Sequence, residues 1–323
     1  MDSSSRVLLD EYCRPFIGAR TQWPDLPLPA KPAMAWWQQW LIENSADEQF
    51  EALRSVLPQL LIQPHNGASK SEIYKHLVLR GESCIQREYA TTLQLNDPQG
   101  FSIKVVDHPC GPVPVIEISE HSDFLNVLRC LAYRCELVQI QPSVHSQAVS
   151  GLIHWGLIST LNQQERAELI ILHRSPYSSL PAAAIPGNPT TSQWLEISHQ
   201  WRLEHELTHL ATKCLVGEMR LNLFDELVAD ALGMLNSMQL YSAELFRQGL
   251  GLNVDATTTP NGRVHTYLTG LDLHDRHIAC EYVLQRAYEL EELLTSGLIS
   301  HERIPLLQYL TKQRLNQKFL VNV

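Results

Sequence analysis

The chain has 323 residues, enough for one large domain or for two lobes with separate hydrophobic cores. A hydrophobic fraction of 44% excludes a disordered chain. The net charge is −10 and no run of Lys and Arg occurs, so neither a nucleic acid nor an anionic membrane is expected as a partner.

The cysteines and the apolar stretches predict the compartment. Seven cysteines are present without any C-x-x-C pair, which favours buried thiols in a reducing environment over a disulfide framework. The opening MDSSSRVLLDEYCRPF lacks the apolar core of a signal peptide, and no apolar stretch approaches about 18 residues. We therefore expect a cytoplasmic protein without a transmembrane helix. The sequence makes no prediction of the oligomeric state.

The beginning of the chain is predicted to change from helices to strands. Residues 1–45 are rich in proline and tryptophan, and three of the tryptophans fall on one predicted helix as a packing anchor. Helical spacing continues in residues 47–63 and 68–80. In residues 88–118, alternating apolar residues, β-branched residues and an N-D-P-Q-G turn predict strands.

A helix and two further strands are predicted next. SDFLNVLRCLAYRCEL has helical spacing, with Ser122 as its N-cap. VSGLIHWGLI (residues 149–158) and AELIILHRS (residues 167–175) are strand candidates. Four prolines then exclude regular structure over most of residues 174–192, which we interpret as a linker between lobes or the rim of a cleft.

The rest of the chain is predicted to be mostly helical. Thr190 and Gln193 fit the T-x-x-Q capping box, so a helix is expected to begin there. The sequence thus predicts an α+β fold in two parts. An N-terminal α+β part spans residues 1–189, and a mostly helical part spans residues 190–323.

The helical part carries the stretch HELTH. His205 and His209 are four residues apart and therefore share one face of a helix, where two imidazoles can reach one metal ion. Glu206 projects about 100° round the helix from His205, which puts a carboxylate beside the metal without making it a ligand. The predicted apolar stripe, nearly opposite the histidines, consists of Leu203, Leu207, Leu210 and Cys214. The alternative is a surface helix with two solvated histidines.

A second helix is predicted in MRLNLFDELVADALGML, with Asn222 as its N-cap. Glu226 lies 17 residues after His209 and shares a helix face with Asp230 in the pattern E-x-x-x-D. The helix dipole stabilises carboxylates in the first turn, so Glu226 at that position does not by itself indicate a metal. Asp230 is harder to explain in this way, because it falls within the apolar run LVADALGML, where an unpaired charge is costly. A hydrogen bond from a ligand histidine would offset that cost.

HELTH followed by ELVAD resembles the gluzincin zinc metallopeptidases, of which thermolysin is the familiar case. The resemblance implies a zincin-like fold, with Zn²⁺ held by His205, His209 and Glu226. It makes Glu206 the general base and Asp230 a carboxylate that orients a ligand histidine.

The resemblance covers only about residues 190–240, and the spacing between the two helices is shorter than in thermolysin. Gluzincins take a hydrogen-bond donor for the oxyanion from downstream of the ligand glutamate. Here the segment GRVHTYLTGLDLHDRH (residues 262–277) offers donors, of which we favour Tyr267 and His265 as catalytic residues. The other donors of the segment are Arg263, His274, Arg276 and His277. By the same resemblance, one of the two strand candidates aligns an extended substrate.

The predicted function is a zinc-dependent hydrolase, a metallopeptidase acting on a peptide or another amide. Three alternatives remain. The first is a di-iron or other metal-dependent oxidase, because two E-x-x-H units, Glu196–His199 and Glu206–His209, are typical of di-iron sites, although such units normally come from different helices. A zincin-fold binding or regulatory protein would bind zinc with little turnover. A helical protein without enzymatic activity would bind no metal.

Overall fold

The computed structural model describes residues 3–20, 22–82, 92–161 and 167–320, with the side chains of residues 3–7 and 20 excepted. In chain order the helices are α1 (Ser3–Tyr12), α2 (Pro32–Glu43), α3 (Gln49–Val56), α4 (Glu72–Tyr74), α5 (His121–Ala132), α6 (Trp155–Leu161), α7 (Thr191–Val216), α8 (Leu223–Met238), α9 (Ala243–Leu250), α10 (Val264–Tyr267), α11 (Leu273–Thr295) and α12 (Arg303–Thr311). The strands are β1 (Phe101–Val106), β2 (Val113–Ile118), β3 (Ser146–Leu152) and β4 (Ala167–His173). The described residues therefore form an α+β protein, as predicted.

The chain forms two compact units. The sheet unit is Leu26–Arg174, and the helical unit combines Met1–Asp25 with Ser175–Val323. The predicted boundary between residues 189 and 190 stays a prediction, because this division by packing does not test which segments fold independently. No helix within the described residues is long and apolar enough to cross a membrane.

The sheet unit is built on a mixed sheet with the strand order β1-β2-β4-β3. β2 and β4 are parallel, whereas β1 pairs antiparallel with β2 and β3 pairs antiparallel with β4. β4 is buried along almost its whole length, which explains its continuous apolar sequence. Ile118 lies opposite His173 in the parallel pair, so the carboxyl ends of β2 and β4 meet at one edge of the sheet.

The structure confirms the strand predicted at 167–175 and corrects its neighbour. The candidate 149–158 is a strand only as far as Leu152, and helix α6 begins at Trp155, whose indole Nε1 donates to the Val78 carbonyl oxygen at 2.9 Å. β4 is hydrogen-bonded to a strand on each side, so it has no free edge with which an extended peptide could pair. β3 lies at the edge of the sheet.

Two further predictions in this unit need correction. Ser122 is not the N-cap of α5, because Glu120 holds that position and its carboxylate accepts from the Ser122 backbone N–H at 3.2 Å. Of the strand region predicted at 88–118, β1 and β2 account for residues 101–106 and 113–118. Residues 92–97 form no strand, and residues 88–91 lie outside the described residues.

The helical unit is organised by α7 and α8. The capping box of Thr190 and Gln193 is present at the start of α7, as predicted, and Gly217 ends the helix with a left-handed φ of 77°. Asn222 caps α8, also as predicted, by accepting from the Asp225 backbone N–H at 2.9 Å. The connection between Gly217 and Asn222 is therefore short, and α8 runs back beside α7.

The two helices pack closely where α8 carries Gly233. A Cβ atom at this position would lie 2.4 Å from Cδ1 of Trp201 and 2.8 Å from the Trp201 backbone oxygen. Contacts this short do not occur in real structures, and the backbone oxygen cannot move aside as a flexible side chain can. Gly233 therefore permits the separation at which side chains of α7 and α8 meet.

We predict that Gly233→Ala destabilises the protein. Overpacking costs about 1–3 kcal/mol, and the contact with a backbone oxygen places this substitution in the upper part of that range. Alanine gains roughly 1 kcal/mol over glycine inside a helix, so a net loss of about 1–2 kcal/mol in the free energy of unfolding is expected. Urea denaturation followed by circular dichroism measures it. Asn236→Ala, at an exposed position of the same helix, is the control and should change stability by less than about 0.5 kcal/mol. Equal stability of Gly233→Ala and wild type would contradict the close packing.

Candidate metal centre

Three side chains converge between α7 and α8. Nε2 of His205 lies 3.1 Å from Nε2 of His209. Oε2 of Glu226 lies 3.5 Å from Nε2 of His205, and Oε1 of Glu226 lies 3.3 Å from Nε2 of His209. The ligands of a tetrahedral zinc ion, at about 2.0–2.1 Å from the metal, are about 3.3 Å from one another. The three side chains that HELTH and ELVAD predicted therefore stand at the separation that one zinc ion requires.

The histidine face of α7 is buried, since His205 and His209 are only 5% and 8% exposed. Of the predicted apolar stripe, Leu207 is buried, Leu203 and Leu210 are half-buried and Cys214 is exposed. The stripe is therefore only partly buried, whereas α8 packs against the histidines. Two solvated histidines on a surface helix are excluded by the same burial.

Each histidine is held at its other ring nitrogen by an aspartate of α8. Nδ1 of His205 lies 2.9 Å from Oδ1 of Asp230, and Nδ1 of His209 lies 3.1 Å from Oδ2 of Asp225. A carboxylate at Nδ1 selects the tautomer with the proton on that nitrogen, so the Nε2 lone pairs point at each other and at Glu226. Such a convergence of lone pairs is repulsive unless a cation or a proton lies among them.

Asp230 is the most heavily bonded of these carboxylates. It is fully buried and accepts from Nε1 of Trp201 at 3.1 Å, from the Tyr177 hydroxyl and from Arg263, in addition to His205. Burial alone would raise its pKa, but the positive charge of Arg263 and the interaction with His205 hold the pKa well below the usual range. Asp230 therefore remains an anion and a permanent acceptor for His205.

The guanidinium group of Arg263 binds two carboxylates of α8, those of Glu226 and Asp230. One guanidinium nitrogen donates to Oε2 of Glu226 at 3.1 Å, and the other donates to Asp230. Its Nε donates to the Gly249 carbonyl oxygen at 3.1 Å, and the guanidinium lies 5.4 Å from the centre of the Tyr177 ring. Arg263 was one of the donors predicted in residues 262–277. Its contacts show that it fixes the orientation of Glu226 and Asp230.

Asp225 is the partner of His209, a role that the sequence analysis did not predict. It is fully buried, and its Oδ2 also accepts from the Arg220 backbone N–H at 2.9 Å. Burial lowers the pKa of His209, but the charge of Asp225 and its hydrogen bond, together with Glu226, raise that pKa well above the usual value. The site therefore attracts positive charge.

The charged groups around the two histidines carry a net negative charge, which explains why the site attracts cations. Among the described residues, three carboxylates pair with the two histidines and one guanidinium, that of Arg263, pairs with these carboxylates. With neutral imidazoles, two negative charges therefore remain, which is the number that a divalent cation neutralises.

Glu206 follows His205 on α7 and is only 7% exposed. Nearby, Arg202 is 2% exposed and donates to the carbonyl oxygens of Ser175 and Pro176, each at 3.1 Å. Burial lowers the pKa of Arg202 to about 10, and the charges of Tyr177 and Glu206 act in the opposite direction. A positive charge thus lies within electrostatic range of the predicted base.

The structure separates the two favoured oxyanion donors. Tyr267 lies at the end of α10, and its pKa is raised well above the ordinary value, first by burial and next by the negative charge of Glu226. Its hydroxyl therefore stays protonated beside a predicted ligand. His265 has an exposed ring whose Nε2 donates to the Thr259 carbonyl oxygen at 2.9 Å. The structure does not bring His265 to the cluster.

The second E-x-x-H unit does not join the cluster either. Glu196 is exposed, and its carboxylate accepts from Nε2 of Gln200 at 3.0 Å. A di-iron site needs further carboxylates around the histidines, and this unit does not supply one.

Tyr177 is the contact that sequence reasoning missed. Its hydroxyl lies 3.0 Å from Nδ1 of His205 and donates to Asp230, and its ring stacks on Trp201 with the centroids 4.1 Å apart. It falls in the proline-rich segment 174–192, where no periodic pattern indicates a contact.

The chain belongs to a family of unknown function, DUF7005, whose model matches residues 9–168 and 162–317. No curated protein and no solved structure matches the chain.

We predict that Asp225→Asn and Asp230→Asn each weaken zinc binding about 10- to 100-fold, because each removes the carboxylate that orients a ligand histidine. Competition with a chromophoric zinc indicator measures the dissociation constant. Asp255→Asn, at an exposed aspartate that bonds Thr257, is the matched control and should bind zinc as the wild type does.

The two variants should differ in stability. Asp230→Asn removes one of the two negative charges that pair with the half-buried guanidinium of Arg263, whereas Asp225→Asn leaves Arg263 with both of its carboxylates. The metal-free Asp230→Asn protein should therefore be the less stable of the two in urea. Unchanged zinc affinity in both variants would contradict the orienting role of the aspartates.

Proposed function

We propose that this protein is a zinc-dependent hydrolase with a zincin-like site, which cleaves a peptide or another amide bond. In this proposal His205, His209 and Glu226 bind the zinc ion and Glu206 is the general base. The observation that carries the proposal is the triangle of two imidazole nitrogens and one carboxylate, with edges of 3.1–3.5 Å, buried between α7 and α8.

The donor set favours zinc over other common ions. Two imidazoles and one carboxylate are typical of catalytic zinc sites, where a fourth position stays open for water or substrate. Magnesium and calcium prefer oxygen ligands only. The two residual negative charges around the histidines support a divalent ion. The resemblance of HELTH and ELVAD to the gluzincins adds the expectation of peptide or amide hydrolysis.

A zinc ion, when bound, polarises the substrate carbonyl and lowers the pKa of water at the open position. The carboxylate of Glu206 accepts the proton of the attacking water and returns it to the leaving amine. The protonated hydroxyl of Tyr267 donates to the oxygen on which negative charge develops. Arg263 is engaged with Glu226 and Asp230, so it holds these carboxylates in place.

One alternative is a zincin-fold binding or regulatory protein that holds the metal without turnover. It shares the ligands and their aspartates, and it differs in having no use for Glu206 as a base. A cytoplasmic location stays a prediction that rests on the cysteine content.

We predict that His205→Ala and Glu226→Ala each contain one zinc ion fewer per chain than the wild type, because each removes one of the three ligands. Elemental analysis of identically purified proteins measures the content, and circular dichroism checks the fold. The control is His265→Ala, since this exposed histidine of the same unit should keep the wild-type zinc content. Wild-type zinc content in both ligand variants would refute the site.

We also predict that Glu206→Gln keeps its zinc but loses about 10²- to 10⁴-fold in hydrolytic rate, the usual contribution of a general base. Pools of internally quenched fluorescent peptides, with free and with blocked termini, serve as substrates. Glu196→Gln is the matched control, because it makes the same change at an exposed position of the same helix and should cleave at the wild-type rate.

Two outcomes would count against hydrolysis. Equal cleavage by wild type and Glu206→Gln would show that the activity does not come from this site. A zinc-loaded wild type that cleaves no peptide in any pool would favour the binding or regulatory protein.

A further inference from the structure

Three histidines meet at one edge of the sheet unit, outside the centre described above. His173 is the last residue of β4, and His121 is the first residue of α5, shortly after the end of β2. His145 precedes β3, and its carbonyl oxygen accepts from the His173 backbone N–H at 2.8 Å. The carboxyl ends of parallel strands are a common location for ligands in mixed sheets.

The three rings form a nearly equilateral group. Their centroids are 5.1 Å apart for His121 and His145, 5.0 Å for His121 and His173, and 5.1 Å for His145 and His173. One ring nitrogen from each lies within 4.8 Å of the other two. Three imidazole nitrogens are therefore close enough to share one ion.

The hydrogen bonds of His173 indicate which of its ring nitrogens carries the proton. Its Nε2 lies 3.2 Å from the Ser119 carbonyl oxygen and therefore carries the proton that is donated there. Its Nδ1 is then the acceptor, and it lies 2.9 Å from Nδ1 of His145. A ring nitrogen fixed through a backbone carbonyl is the arrangement by which proteins aim a histidine at a metal.

His121 supplies an independent observation. Its Nε2 is buried and has no hydrogen-bond partner within the described residues. Buried polar atoms of this kind are nearly always paired with protein, water or an ion. The face of the ring stacks on Phe124, with 6.2 Å between centroids and 12° between the ring planes, which leaves the nitrogens at the ring edge.

We propose that His121, His145 and His173 bind a second transition-metal ion, of the class that prefers imidazole nitrogen, with zinc as the first candidate. Three imidazoles suit zinc, copper or nickel and do not suit magnesium or calcium. The carboxylate of Glu120, the N-cap of α5, adds negative charge next to His121. This site shares no residue with the proposed hydrolase centre, so either assignment can fail without the other.

Zinc titration of the metal-free full-length chain tests the proposal, with the metal itself as the probe. The wild type should bind about two zinc ions per chain, His205→Ala about one and His145→Ala about one, because each variant loses one site. The double variant should lose both. His65→Ala removes an exposed histidine of the same unit and should retain the wild-type number.

Two results would overturn the proposal. His205→Ala that binds no zinc would show that the second site does not exist, and His145→Ala that binds as many ions as the wild type would show that these histidines do not hold it. Loss of an ion in His145→Ala but not in His205→Ala would instead refute the hydrolase centre.

A second measurement covers the case in which His145→Ala fails to fold. His205→Ala, loaded with one zinc, is examined by X-ray absorption at the zinc edge. Outer-shell scattering from three imidazoles is expected, and scattering from two or fewer would overturn the proposal.

Discussion

The helical unit depends on the burial of three carboxylates along one helix. Asp225, Glu226 and Asp230 of α8 are at most 2% exposed, and buried charges without partners would prevent folding. Their partners are the two histidines of α7 together with Arg263, which comes from a later segment. Other features serve this arrangement. Gly233 permits the close approach of the helices, and the capped ends of α7 and α8 define where the facing side chains stand.

The same arrangement couples metal binding to stability. Without a metal, a proton on His209 relieves the repulsion among these groups, and the charge of Asp225 and its hydrogen bond, together with Glu226, raise the pKa of His209. A divalent ion replaces that proton and neutralises the remaining negative charge. Its binding free energy then adds to the free energy of folding, since the unfolded chain holds no such group of ligands.

The local parts of this architecture were predictable from sequence, and the long-range parts were not. The capping box at Thr190, the cap at Asn222 and the two helices follow from residue types at fixed short spacings. The burial of the histidine face of α7 was not predicted, because an apolar count favours leucines and ignores that a charged face is buried when another helix supplies its counter-charges. Tyr177 and Arg263 reach Asp230 from 53 and 33 residues away, and no periodicity encodes such contacts.

The two histidine groups illustrate this limit. His205 and His209 are one helical turn apart, so a five-residue motif reveals them. His121, His145 and His173 are separated by whole structural elements and converge only because β2, β3 and β4 end or begin at the same sheet edge. Both groups nevertheless follow one physical rule. A ring nitrogen is aimed at the centre when the opposite nitrogen is bonded, by an aspartate in the helical unit and by the Ser119 carbonyl in the sheet unit. Three carboxylates make the first group strongly cation-attracting, whereas Glu120 supplies a single carboxylate beside the second group. The second group should therefore bind its ion through the softness of imidazole more than through electrostatic attraction.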